Sequence, residues 1–247
     1  NLIYESGPWN GHRPFTYNHD RPLGDHLPDK LLHNYLATRR GQCVSMPVLF
    51  LVLAEKLGVE MRLASAPHHM FLRYTDPAGR RFNIEATSGG HPARDQWYRR
   101  QFPMTDRAIE SGLYMRTLSR RESVALMATT LLEHLVGKRR HEEAIDLAAV
   151  ILEHDPRDAQ VMVTQASCCG RLMETEFAAK YPVPFLIPEP ARSRYRFLAA
   201  MNEALFARAE ALGWEPDPQW EPPHVAAHPS HPSKKTSEPG PLTTERN

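Results

Sequence analysis

Apolar positions along the chain keep two different periods. Residues 44–57, VSMPVLFLVLAEKL, make an almost unbroken apolar run of helical length. Pro47 lies a few residues inside it, tolerable in the first turn or two but able to kink the axis. The pattern then switches to alternation. VEMRLASAP at 59–67 reads as a strand, and HHMFLRYTDPAGRRFNIEATSGG at 68–90 as two strands joined at the turn DPAG. Alternation puts Met70, Leu72 and Tyr74 on one face and His69, Phe71 and Arg73 on the other. On the partner strand Phe82 and Ile84 share a face, opposite Asn83 and Glu85. A helix followed by antiparallel strands predicts an α+β fold.

Beyond residue 112 the period is helical throughout. SRRE at 119–122 is a capping box, with Ser119 facing the first turn and Glu122 reaching back. Val124, Met127, Leu131 and Leu135 follow at helical spacing, and Gly137 supplies a stop. A second helix starts near His141, carries Ala144, Ile145, Ala148, Ile151 and Leu152, and ends before DPRDAQ. A third runs from there to about Leu172, and a last from about Arg192 to Leu212, stopping at Gly213. From Trp214 onward the chain is rich in proline, serine and histidine with almost no aliphatic residues, so this tail is expected to be mostly disordered. The organisation predicted is a core over 1–112, a helical region over 113–213 and a proline-rich tail over 214–247.

Composition narrows the function classes. The 247 residues are 41% hydrophobic and 24% charged, ordinary for a globular chain. A net charge of +1 gives no global field toward nucleic acid, and no run reaches the roughly 18 apolar residues of a membrane span. The chain opens on Asn1 without a signal-peptide pattern, which reads as a trimmed chain. Three cysteines are an odd count that leaves a thiol free, and this favours a reducing, cytoplasmic setting. His228 and His231 have proline between them and no cysteine or carboxylate cluster nearby, so no metal site is expected there. Cys168 and Cys169 sit in a helical pattern and read as buried, inert thiols.

Cys43 raises the main chemical question. It opens the apolar helix in RRGQC, where unpaired N–H groups and the positive end of the helix dipole favour a thiolate. A lone cysteine on an apolar helix is ordinarily a core residue. The hairpin, however, presents His69 and Glu85 side by side, an imidazole to accept and return a proton and a carboxylate to orient it. The Cys43 N–H and the Gln42 side chain are candidate oxyanion donors. Trp9 and Asn10, in GPWNGHRPF, are candidates for a loop edging the cleft, although a structural loop is the simpler reading. Arg39 and Arg40 read as a solvated pair, and His91 as a loop residue.

TRRGQCVSMPVLFLVLAEKLGVEMRLASAPHHMFLRY…FNIEATSGG resembles the core of the transglutaminase-like superfamily, a branch of the papain-like cysteine enzymes. The likeness covers about residues 1–112 and is carried by the Gly-x-Cys helix start, the Pro-x-His strand and the Asn-x-Glu-x-Thr strand. It implies Cys43 as nucleophile, His69, two positions after Pro67, as its base, and Glu85 as the third member. GKRRHEEAIDLAAVILEHDPRDAQ resembles a tetratricopeptide-repeat helix pair, and a bacterial branch joining the two is the nearest likeness. The resemblance implies a peptide or protein amide substrate, no cofactor, and a protein partner for the helices. Three readings stay open: a cysteine hydrolase or acyl transferase, a non-catalytic binding module that keeps the triad, and a scaffold whose tail does the binding.

Overall fold

The computed structural model describes residues 2–22, 24 and 26–216. The expectations for the tail beyond residue 216, including His228 and His231, lie outside the described residues. The chain opens with a short 3-10 turn, Pro8–Asn10, and a two-residue strand β1 (Thr16–Tyr17). Two short helices follow, α1 (Leu27–Lys30) and α2 (Leu32–Thr38), then β2 (Arg40–Gly41), which pairs in parallel with β1. The apolar run is α3 (Ser45–Leu57). Pro47 is its third residue, among the first four whose N–H groups have no partner within a helix, so its missing donor costs nothing there.

A four-stranded antiparallel sheet stands against α3, in the order β3 (Met61–Ala66), β4 (His69–Thr75), β5 (Arg81–Glu85), β6 (His91–Ala93). The predicted alternation is the observed one. Leu63, Met70 and Leu72 pack on one face with Val44, Met46 and Leu49. Ala64, Ala66 and Phe71 face the other way, onto Tyr98 and Met115. Both faces are therefore buried. The second is covered by α4 (Asp95–Gln101) and by the segment after α5 (Asp106–Glu110). That segment runs beside β3, with Met115 N–H donating to Ser65 O at 2.9 Å and Leu118 N–H to Leu63 O at 2.8 Å.

The remaining helices are α6 (Arg120–Gly137), α7 (His141–His154), α8 (Ala159–Met173) and α9 (Glu189–Ala211), each packed on the next. Ser119 and Glu122 form the capping box, at 3.2 and 2.7 Å. All five apolar positions predicted for α7 are buried. Of the stripe predicted for α6, Leu135 is buried, but Val124 and Leu131 are 62% and 51% exposed, while Ala125 and Leu132, outside the stripe, are buried. The helix lies between two clusters, with Leu126 against the α3 side and Leu132 and Leu135 against α7 and α8, so no single stripe describes it. Among the described residues, no helix is long and apolar enough to cross a membrane.

Candidate active site

Cys43 lies in the turn just ahead of α3, half-buried, and the glycine before it by two positions shows why this turn can form. A Cβ on Gly41 would stand 2.6 Å from the Tyr35 ring and 2.7 Å from Ser45 Oγ. Ser45, fully buried, ties the turn down: its Oγ accepts from Gln42 N–H at 3.0 Å and donates to Asp29 O at 2.7 Å. The Gln42 amide is spent on backbone, donating to Arg21 O at 2.6 Å and Asn18 O at 3.4 Å. With the residue fully buried, Gln42 braces the loop beside Cys43 and has no donor left over for the oxyanion role expected of it. Tyr17 flanks the thiol; burial, then the charge of Cys43, push its phenol up.

The β3–β4 connection settles which histidine faces the site. Ala66 pairs with His69, leaving Pro67 and His68 as a two-residue loop, with His68 at a φ of 53°. His69 is thus the first paired residue of β4. The β4–β5 register runs through Arg73↔Asn83 and Leu72↔Ile84, and its continuation sets Glu85 across from Phe71, on the same face as His69. His69 Nε2 lies 2.8 Å from Glu85 Oε2. The other carboxylate oxygen accepts from Thr87 N–H at 2.9 Å and Thr87 Oγ1 at 2.6 Å, which leaves Glu85 little freedom to turn.

Cys43 is near enough to His69 to bear on its protonation, through hydrogen bonding and charge. Since Nε2 is committed to Glu85, Nδ1 is the ring nitrogen left for the thiol. Burial alone would lower the His69 pKa; hydrogen bonds to Cys43 and Glu85 and their negative charges override it and raise the value to about 9. Burial would raise Glu85, but its bonds to His69 and Thr87 hold it below the ordinary carboxylate value. The imidazole stacks on Phe102, centroids 4.6 Å apart and planes 10° apart, and the buried Tyr98 lies beyond. Arg73, Asn83 and Asp95 then tie β4 and β5 to the start of α4: Asn83 Oδ1 accepts from Arg73 Nε at 2.9 Å, and its amide donates to Asp95 Oδ1 at 2.6 Å.

The other candidates lie elsewhere. Asn10 caps its own loop, accepting from Gly7 N–H at 3.1 Å and donating to Glu5 O at 2.7 Å. Trp9 folds over Gly7 and is 57% exposed. No recorded contact joins either of them to Cys43. Arg39 is half-buried and structural, donating to Asn10 O at 2.7 Å and to Arg13 O, which corrects its reading as half of a solvated pair. Arg40 does pair at the surface, with Asp20. His91 belongs to β6 and pairs with Glu85, not to a loop. Thr87, Phe102, Tyr98 and Tyr17 were not singled out from sequence. Only Thr87 left a signal, as the last residue of Asn-x-Glu-x-Thr.

Among the described residues, no group of three or more metal-binding side chains gathers. No curated protein and no solved structure matches the chain. Residues 24–110, which hold Cys43, His69 and Glu85 but not Trp9 or Asn10, match the family model of the transglutaminase-like superfamily.

Proposed function

We propose that the protein is a cysteine-dependent amide hydrolase or acyl transferase working through Cys43, His69 and Glu85. The observation that carries this reading is the buried His69–Glu85 pair, 2.8 Å apart and with the carboxylate locked by Thr87, close enough to Cys43 for the thiol to bear on the imidazole. In the reaction, Cys43 Sγ attacks an amide carbonyl, and the Cys43 backbone N–H ahead of α3 steadies the oxyanion. His69 passes its Nδ1 proton to the amine as the C–N bond breaks, leaving a thioester. Water or a second amine then gives its proton to His69, attacks the thioester and releases Cys43.

The region over 113–213 is proposed as a tetratricopeptide-like body that recruits a protein partner, attached to the 1–112 core in the manner of the bacterial branch. Its helices α6 to α9 packed in sequence support this, and free thiols suit a cytoplasmic setting. The binding-module reading keeps one specific support, the exposed Val124 and Leu131 on α6.

The test is intact mass and peptide mapping after limiting iodoacetamide near pH 6, then after small acylating probes. Cys43 should be modified first, because burial pushes the Cys168 thiol up to about 12 and the Cys169 thiol up to about 11. A thioester adduct on Cys43 that decays in water, and is missing in Cys43→Ala, supports the enzyme. Preferential labelling of Cys168 or Cys169 in folded protein would defeat it.

A further inference from the structure

The His69 imidazole lies against a cluster of aromatic rings carried mostly by α4. Phe102, the residue that ends this helix, donates its N–H to Tyr98 O at 2.8 Å. Its ring stacks on the imidazole, centroids 4.6 Å apart and planes 10° apart. Beside it the fully buried Tyr98 stacks on Phe71 at 3.9 Å, and Trp97 meets Tyr98 and Phe102 edge-on at 4.9 and 6.3 Å. The helix is tied down where it starts: Asp95 Oδ1 accepts from Asn83 Nδ2 at 2.6 Å and pairs with Arg73 Nη2 at 3.5 Å. Phe102 therefore has little room to swing off the imidazole.

One hydrogen bond fixes one point of a ring. Held by Glu85 at Nε2 alone, the imidazole can still turn about that bond, because the histidine χ2 torsion is broad. A flat neighbour parallel to it removes this turn. With Nε2 and the plane both set, the direction in which Nδ1 points is set as well, and Nδ1 is the nitrogen left for Cys43. The face of a phenyl ring also carries partial negative charge and attracts a cation above it. The titratable groups facing the imidazole are Cys43 ahead of α3, Glu85 from β5 and Tyr98 from α4, whose ring is 6.3 Å away. The Tyr98 phenol is pushed up by burial and then by the Glu85 charge, so it stays neutral. We propose that Phe102 is a positioning residue of the triad: its ring sets the plane of the His69 imidazole and favours the imidazolium that pairs with a Cys43 thiolate. This rests on the acyl-transfer reading above and deepens it, since it names what holds the base.

The test compares, in the full chain, Phe102→Leu, Phe102→Tyr and a protein carrying pentafluorophenylalanine at position 102. Leucine keeps the cover from water without the aromatic face. The fluorinated ring keeps the shape but reverses the charge of that face. The His69 pKa is read by NMR of its ring protons in a Cys43→Ala background, where no thiol reaction intervenes. It should fall by about 0.5 in Phe102→Leu, the equivalent of a weak cation–π contact, and at least as far with the fluorinated ring. Phe102→Tyr should hold it. With Cys43 in place, iodoacetamide alkylation near pH 6 should slow about threefold in Phe102→Leu, the factor that such a fall in pKa represents. In Phe102→Tyr, which keeps the stack, it should stay within about twofold. An unmoved His69 pKa in the fluorinated protein overturns the proposal even if the melting temperature drops, as does a lowered pKa with Cys43 alkylation unchanged. Should Phe102→Leu fail to fold, the fluorinated ring, which fits the same space, decides both readouts. If iodoacetamide does not favour Cys43 in the unmodified protein, the acyl-transfer reading fails, while the His69 pKa series in Cys43→Ala still decides the stack.

Discussion

His69 Nε2 and Glu85 Oε2 lie 2.8 Å apart, with their side chains only 8% and 2% exposed. A buried pair at this distance ties protonation to both stability and activity. The folded-state pKa of His69 is raised, to about 9, so its contribution is complete below its ordinary 6.5 and is lost as pH rises through about 9. Glu85 is held low, so its contribution is present above its ordinary 4.5 and lost as pH falls through its folded value. The melting temperature should therefore be highest near pH 5–6 as far as this pair is concerned, and fall toward pH 9. The acylation rate depends on the His69 proton and should show its basic limb near pH 9. Glu85→Gln removes one of the groups raising His69, so that limb should move to lower pH as the rate falls. A limb unmoved in Glu85→Gln would mean that the carboxylate does not govern the imidazole.

The two adjacent histidines should separate cleanly. His68 holds a φ of 53°, a conformation asparagine tolerates, so His68→Asn should leave Cys43 acylation within about twofold. His69→Asn should cost about 10²–10⁴-fold, the range of a removed general base. Both variants should melt cooperatively. Comparable losses in the two would show that the loop, rather than the His69 ring, sets the reactivity.

This difference is legible in the sequence: strand alternation puts His69 and Glu85 on one face, and the resemblance sets the histidine two positions after Pro67. The hairpins and the α7 stripe are legible because each keeps one regular period along its length. What failed to show had more than one neighbour or none of the usual residues. The 113–118 segment joins the sheet edge through backbone hydrogen bonds that any sequence could supply. Strand β6, with Pro92 at its centre, carries no apolar alternation. The Gln42 amide looked free because the carbonyls that take its protons come from a loop some twenty residues earlier.

Gly41→Ala should test the turn that presents Cys43. Its new methyl would meet the fully buried Tyr35 ring and Ser45 Oγ below 3 Å, so one of them must move. Such overpacking costs about 1–3 kcal/mol, which lowers the melting temperature by several degrees. Because Ser45 and Tyr35 brace the turn, Cys43 alkylation should slow as well. Gly137→Ala, at the end of α6 with open space around it, is the control and should be neutral or slightly stabilising. If both variants melt alike, Gly41 is not the close-approach point.

The rotated face of α6 is the place where sequence periodicity and structure make opposite predictions, which makes it the sharpest test of the helical packing. Periodicity makes Leu131 a core residue, yet it is 51% exposed, while the adjacent Leu132 is 2% exposed among the α7 and α8 side chains. Leu132→Ala would leave a cavity that close-packed neighbours fill only in part, at a cost of about 2–5 kcal/mol. Leu131→Lys and Val124→Lys place their charges in water and should each stay within about 0.5 kcal/mol, as surface substitutions do. The reason lies in what α6 separates. Ser123 fits against its neighbours because it is small and returns its hydroxyl to Ser119 O at 2.8 Å, so a polar residue takes a buried position that a hydrophobic stripe would have claimed. Chemical denaturation of the three variants reads the difference directly. A Leu131→Lys protein as destabilised as Leu132→Ala would turn the helix back to the face its periodicity suggests, and with it the contacts that join the helical region to the sheet.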